Sequence, residues 1–231
     1  MNPSEEKNQG GCIIKQPPIS LKLREKNIEI MKVNNLEVIK PLINNCNEGE
    51  FYLLLIVHRP KDGLTRFDKE GSKSKQKTIK SYYISNTEYL DRKMDEIEAL
   101  CELFNARAYI YLTKKSWKQI ACKSVENLGV YLMENNYHKA VSVIDASCGQ
   151  TGACDGNNLY LVDIDTKDEL EVEKVVNSVN DSSPKGDKIV AKIPTVHGYH
   201  LMTKGFNPNE FKKLYPKPID IHKNNPTLLY Y

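Results

Sequence analysis

The 231-residue chain lacks long apolar runs and a marked net charge, and has only 5 arginines. Its longest apolar stretch, Phe51–Val57, suffices for one strand but falls short of the eighteen or so residues a membrane helix needs. No membrane partner is therefore expected. The opening residues MNPSEEKNQGG carry no apolar core, unlike a secretory signal. Six cysteines are too sparse at this length for a disulfide scaffold. These absences together lead us to expect a reduced, cytoplasmic protein. Lysine plus arginine number 33 against 30 aspartate plus glutamate, a net of +3. A protein that coats DNA would carry a larger basic excess. Lysine and asparagine are abundant, which reads first as the base composition of an AT-rich genome, such as that of a phage or mobile element. With 40% apolar and 27% charged residues, the chain is not expected to be disordered throughout.

Residues 1–27 are polar, hold Pro3, Pro17 and Pro18 and show no sustained period, so a flexible segment is expected. Residues 28–231 read as a single α+β domain, with an N-terminal module over 28–145 and a motif-bearing half over 146–231. Ile28–Ile43 suits a short helix or strand. Phe51–His58 is a strand ended by Arg59-Pro60. Lys61–Lys80 reads as a lysine-rich loop and Ser81–Ile84 as a short strand. Asn86 or Thr87 begins a helix on which Tyr89, Leu90, Met94, Ile97, Cys101 and Phe104 recur at three- and four-residue steps. Arg107–Leu112 alternates as a strand. Ser116 caps a second helix with Trp117, Ile120, Ala121, Val125, Leu128, Tyr131 and Leu132 on one face. Ser147–Asn158 is a loop and Leu159–Asp165 a strand. Asp168–Asn180 reads as a helix, with glutamates in the turn that its dipole favours for anions. Strands over Lys188–Pro194 and Tyr199–Thr203, a helix over Asn209–Leu214, and strands over Ile219–His222 and Leu228–Tyr231 complete the chain. This order predicts a mixed β-sheet backed by helices.

Three segments carry chemistry. In Leu159-Tyr-Leu-Val-Asp163-Ile-Asp165 the two carboxylates share one face of an apolar strand. They repel unless a cation lies between them, and magnesium takes such oxygen ligands together with substrate phosphates. Alternatively, Asp165 caps the following helix and Asp163 is an exposed strand end. In Thr195-Val-His197-Gly198-Tyr-His200 the glycine permits a tight turn. His200 then opens a strand, where it serves either structure or phosphate, proton or metal chemistry. In Pro218-Ile-Asp220-Ile-His222-Lys223-Asn224-Asn225-Pro-Thr227, Asp220 and His222 share a face. Asp220 is a third carboxylate of the kind a two-metal site uses, unless the segment is an ordinary hairpin. Lys223, Asn224, Asn225 and Thr227 can donate to phosphates or a sugar.

The order Asp-x-Asp, Gly-Tyr-His, strand Asp resembles the archaeo-eukaryotic primase superfamily, which includes the primase-polymerases. Leu161-Val-Asp163-Ile-Asp165 looks like its first motif, Thr195–His200 its second and Ile219-Asp220 its third. The family's serine two residues before the histidine is replaced by Gly198. The resemblance implies an RRM-like catalytic core and a nucleotidyltransferase of DNA replication. It also implies two Mg2+ or Mn2+ ions on Asp163, Asp165 and Asp220. His200 would contact the phosphates of a nucleoside triphosphate. Lys204 would take the place of the basic residue beside the second motif. Lys223 and Asn224 would add nucleotide contacts.

Single-stranded nucleic acid is a further candidate partner. Arg66, Lys69, Lys73, Lys75, Lys77 and Lys80 suit a loop that follows a phosphate backbone or a merely solvated one. Tyr82, Tyr83, Tyr109 and Tyr111 suit either base stacking or the core. Lys114-Lys115 is a similar basic pair. Cys148-x5-Cys154, with Cys122 or His138 as further ligands, is spaced too widely for a common zinc site, so zinc is not expected. Two other functions fit the same residues. One is a metal-dependent phosphodiesterase or nuclease, and the other is a non-catalytic nucleotide-binding phage factor.

Overall fold

The computed structural model describes residues 32–59, 76–150 and 159–231. The expected flexible segment 1–27, most of the lysine loop and Cys154 lie outside the described residues. Two four-strand ladders and seven α-helices form an α+β fold among the described residues. No helix there is long and apolar enough to cross a membrane.

The first sheet has the order β2-β1-β3-β9, built from β1 (Glu50–His58), β2 (Lys77–Ile84), β3 (Arg107–Ile110) and β9 (Thr227–Tyr230). The short β4 (Lys115–Ser116) also pairs with β1. Strand β1 is central and buried on both faces, which is why its sequence is an unbroken apolar run. One of its faces, with Tyr52, Leu54 and Ile56, packs under α2 (Thr87–Phe104) through Leu90, Met94, Ile97 and Cys101. Asn86 caps α2 by accepting from the Tyr89 amide at 2.8 Å. Asn105 ends it in the left-handed region at φ 47°. Before β1 lie α1 (Leu36–Ile39) and a single 3-10 turn, Lys40–Leu42.

The second sheet has the order β6-β7-β5-β8, from β5 (Tyr160–Ile164), β6 (Ile189–Pro194), β7 (Tyr199–Thr203) and β8 (Asp220–Lys223). Helices α6 (Glu169–Asp181) and α7 (Pro208–Leu214) complete a β-α-β-β-α-β unit. They cover one face, where Val162, Ile164 and Leu201 meet Val172, Val175, Val179 and Phe211. The opposite face of β5 carries Leu161 and Asp163.

The expected mixed sheet is corrected to two antiparallel ones. Hairpin β6–β7 inserts β7 between β5 and β6, so every neighbouring pair runs antiparallel. The two sheets also interlock in sequence, because β9, at the end of the chain, belongs to the first. Strand β2 begins at Lys77, not Ser81, pairing as far as His58. Helix α3 (Trp117–Met133) forms where its periodicity places it, but its apolar side is largely uncovered. Ile120 is buried, whereas Val125 is 72% exposed and Leu132 49%. Ser116 stands at its N-cap without a side-chain capping bond. The expected loop from Ser147 starts inside a helix, α5 (Val143–Cys148), which follows α4 (Tyr137–Val141).

A buried cation closes the C-terminal end of α6. Lys188 is 3% exposed, and its ammonium donates to the carbonyls of Val179 and Asn180 at 2.9 Å and of Gly186 at 3.2 Å. These include carbonyls that a helix end leaves without partners, at the end where a cation is favoured. Lys188→Met keeps the length but removes the ammonium from all three carbonyls, leaving Val179 without this donor while Asn180 keeps the Gly186 amide. It should lower stability in urea denaturation by about 2–3 kcal/mol. An unchanged midpoint would show that water replaces the ammonium at no cost.

Candidate functional site

Between the sheets lies an open cleft of about 730 Å3. Its floor from the second sheet holds Asp163, Asp165, His200, Asp220 and His222. The pleat explains the grouping. Asp163 stands opposite His200 on β7 and Asp220 on β8, so all three share a face. His222 pairs with Leu161 two residues away, on the same face. Asp165 follows the end of β5 and is exposed. The helix cap is Asp168, whose carboxylate accepts from the Leu170 amide at 3.1 Å. Asp165 is thus not the cap and faces the cleft.

The histidine turn sits against this aspartate strand because Gly198 has no side chain. A Cβ there would lie 1.8 Å from the Ile164 carbonyl oxygen and 2.7 Å from the Thr166 amide nitrogen. Thr195 closes the turn, its hydroxyl accepting from the Gly198 amide at 3.0 Å and its own amide donating to the Gly198 carbonyl at 2.9 Å.

The electrostatics are those of crowded carboxylates. Burial and then the neighbouring Asp165 charge raise the pKa of Asp163, and Asp220 adds to the shift. His200 lies with Nε2 3.7 Å from an Asp163 oxygen. Burial, then the nearby Arg59, push its pKa down to about 4, so it is neutral at pH 7. Three hard oxygen donors on one cleft wall, held against their own repulsion, fit a divalent cation by chemistry. As they stand, no three His, Cys, Asp or Glu among the described residues are gathered tightly enough to hold an ion.

The facing wall comes from the first sheet; Tyr109 and Tyr111 on it were candidate stacking residues, but its arginines were not foreseen as part of the site. Arg59, just beyond β1, and Arg107, on β3, both line the cleft with Gln76, Tyr109 and Tyr111. Arg59 donates to the Tyr109 hydroxyl at 2.9 Å. The Arg107 guanidinium stacks 4.1 Å above the Tyr231 ring. The scarcity of arginine was the available signal, since two of the three arginines among the described residues converge here.

Several expected contacts do not reach the cleft. Lys204 is exposed beyond the far end of β7, where its amide pairs with the Lys188 carbonyl. Lys223 pairs with Tyr160 and, one pleat step from His222, belongs to the helix-covered side. Asn224 turns at φ 55° with its amide on the Leu159 carbonyl, and the cleft is lined instead by Asn225 and Pro226. Tyr82 is buried under α2 and Tyr83 packs on Phe51 and Trp117, so neither stacks in the cleft. Lys80 is paired with Glu96. Lys114 is bonded to Glu50, and Lys115 is buried 4.5 Å from the Tyr111 ring. Cys148 is buried and Cys122 exposed, both unpaired as thiols.

No family model matches the chain, and no curated protein or solved structure does.

Two predictions follow from the geometry. Gly198→Ala should cost about 3 kcal/mol, because the clash is with backbone that cannot rotate away. Gly205→Ala, which meets open space, should be near neutral in the same thermal melts. Folding raises the Asp163 pKa, so its ionised form opposes folding at neutral pH. That opposition vanishes as pH falls below the ordinary carboxylate range. Asp163→Asn should therefore raise the melting temperature of metal-free protein at pH 7 and lose this advantage near pH 3. A gain that persists in acid would place its origin elsewhere.

Proposed function

We propose that the protein is a metal-dependent nucleotidyltransferase of primase-polymerase type, which joins nucleotides and releases pyrophosphate. One observation carries the reading: the three motif segments, spread over about sixty residues of sequence, bring Asp163, Asp165, Asp220 and His200 to one wall of one cleft. The β-α-β-β-α-β unit that carries them has the strand order of a ferredoxin-like, RRM-like sheet, the core expected of this family.

In this reading Asp163, Asp165 and Asp220 would hold two Mg2+ or Mn2+ ions, which would supply activation of the attacking hydroxyl and charge neutralisation of the leaving pyrophosphate. The chain's own groups do the rest. His200, neutral at pH 7 and beside Asp163, can donate a ring proton to a phosphate oxygen without adding a positive charge next to bound cations. Arg59 and Arg107 offset the remaining phosphate charge from the opposite wall, where planar guanidinium groups suit phosphate oxygens better than the Lys204 first expected there. Tyr109, held by Arg59, offers a ring face for a base.

A second reading, phosphodiester hydrolysis by the same carboxylates, is favoured by His222, an added imidazole beside Asp220 that suits protonation of a leaving oxygen.

The test is nucleotide incorporation by purified protein, as primer extension or dinucleotide synthesis with Mn2+ or Mg2+. Wild-type protein should extend and Asp163→Ala should lose activity by at least about a thousandfold. Cleavage of single-stranded DNA or RNA without nucleotides, abolished by the same substitution, would replace the first reading with the second. No activity of either kind would overturn both.

A further inference from the structure

The imidazole of His200 is held from the opposite sheet. Its Nδ1 lies 3.0 Å from the Thr227 hydroxyl oxygen and 3.4 Å from the Leu228 amide nitrogen, both on β9. A backbone N–H can only donate, so the Leu228 amide favours an unprotonated Nδ1 in a neutral ring. The hydroxyl can rotate its proton to the same lone pair. The single ring proton then sits on Nε2, which points toward Asp163. Thr227 is fully buried, and its neighbour Leu228 is tied through Asn35 to the second sheet. Its carbonyl accepts from the Asn35 side chain at 2.9 Å, and that same amide donates to the Pro194 carbonyl at 2.8 Å, beside the histidine turn. The donors are thus fixed in place relative to the strand that bears the ring.

We infer that Thr227 is a positioning residue that sets the tautomer of His200, holding its proton on Nε2 toward the cleft. The inference deepens the nucleotidyltransferase reading, since it concerns how that site's histidine is presented to a phosphate. Its physical basis is that the hydrogen bond at one ring nitrogen decides which nitrogen carries the proton. The hydroxyl is the shorter of the two contacts, so its loss leaves only the 3.4 Å amide to enforce the choice.

The test uses the full chain with isotope-labelled histidine at pH 7, without metal or nucleotide. Nitrogen–proton correlation spectra read the tautomer directly, with the His200 signal identified by His200→Gln. Wild-type protein should show a protonated Nε2 and an unprotonated Nδ1. Thr227→Ser, which keeps the hydroxyl, should show the same. Thr227→Val, close in shape, should shift a measurable fraction to the Nδ1-protonated form. In the incorporation assay it should lower kcat while leaving KM nearly unchanged, with recovery in Thr227→Ser. A wild-type ring protonated on Nδ1, or on both nitrogens, would overturn the inference without any variant. So would an unaltered tautomer in Thr227→Val. Because the spectra need no turnover, a failed activity assay would count against the nucleotidyltransferase reading alone.

Discussion

The side-chain amide of Asn35 spends one proton on the Pro194 carbonyl of the second sheet and the other on the Leu228 carbonyl of the first. Asn35 is 2% exposed, so neither bond competes with water. Near this point the chain also runs beside β9, with the Asn35 amide on the Leu229 carbonyl and Val33 bonded to Tyr231 in both directions. One short segment therefore joins both sheets at the edge of the cleft. The relation between the acidic wall and the arginine wall rests on it, and so does the reach of β9 to His200. A second constraint lies within the second sheet, where the Gly198 turn rests directly on the end of β5. Together these contacts convert three distant sequence segments into one surface.

That surface is polarised. Carboxylates lie on one side, two guanidinium groups on the other, and a neutral imidazole lies between. The arrangement explains why the small net charge of the chain said little about its ligands. Bound divalent ions would reverse the sign of the acidic wall and leave a site cationic on both sides, suited to phosphates. The energy of carboxylate crowding is tolerated in the fold without cations because Asp165 remains in water and Asp163 is only partly enclosed.

Much of this was legible in the residues. Alternation along Leu161–Asp165 and Ile219–His222 correctly placed Asp163, Asp220 and His222 by face, because strand period is a local property. Helix α6 was readable from the glutamates of its first turn for the same reason, although its cap is Asp168 and not the Asp165 weighed for that place. Pairing partners were not readable. The insertion of β7 between β5 and β6, and the return of β9 to the first sheet, are long-range choices that local pattern does not encode. Arg59 and Arg107 were missed on that account, since they reach the cleft only through β1 and β3. Lys204 and Lys223 were misplaced by sequence proximity, which ignores strand length in one case and strand face in the other. Helix α3 shows a further limit: its periodicity predicted the helix, but periodicity does not say which side is covered.

The central claim is that Asp163, Asp165 and Asp220 together take divalent ions beside a triphosphate. It is tested most directly by the anomalous scattering of manganese in crystals soaked with Mn2+ and a non-hydrolysable nucleoside triphosphate. The account predicts manganese peaks bounded by these three carboxylates, with the phosphates running toward His200 and the arginine wall. Saturating manganese that leaves the three carboxylates without a shared ion, or binds elsewhere on the protein, would contradict it.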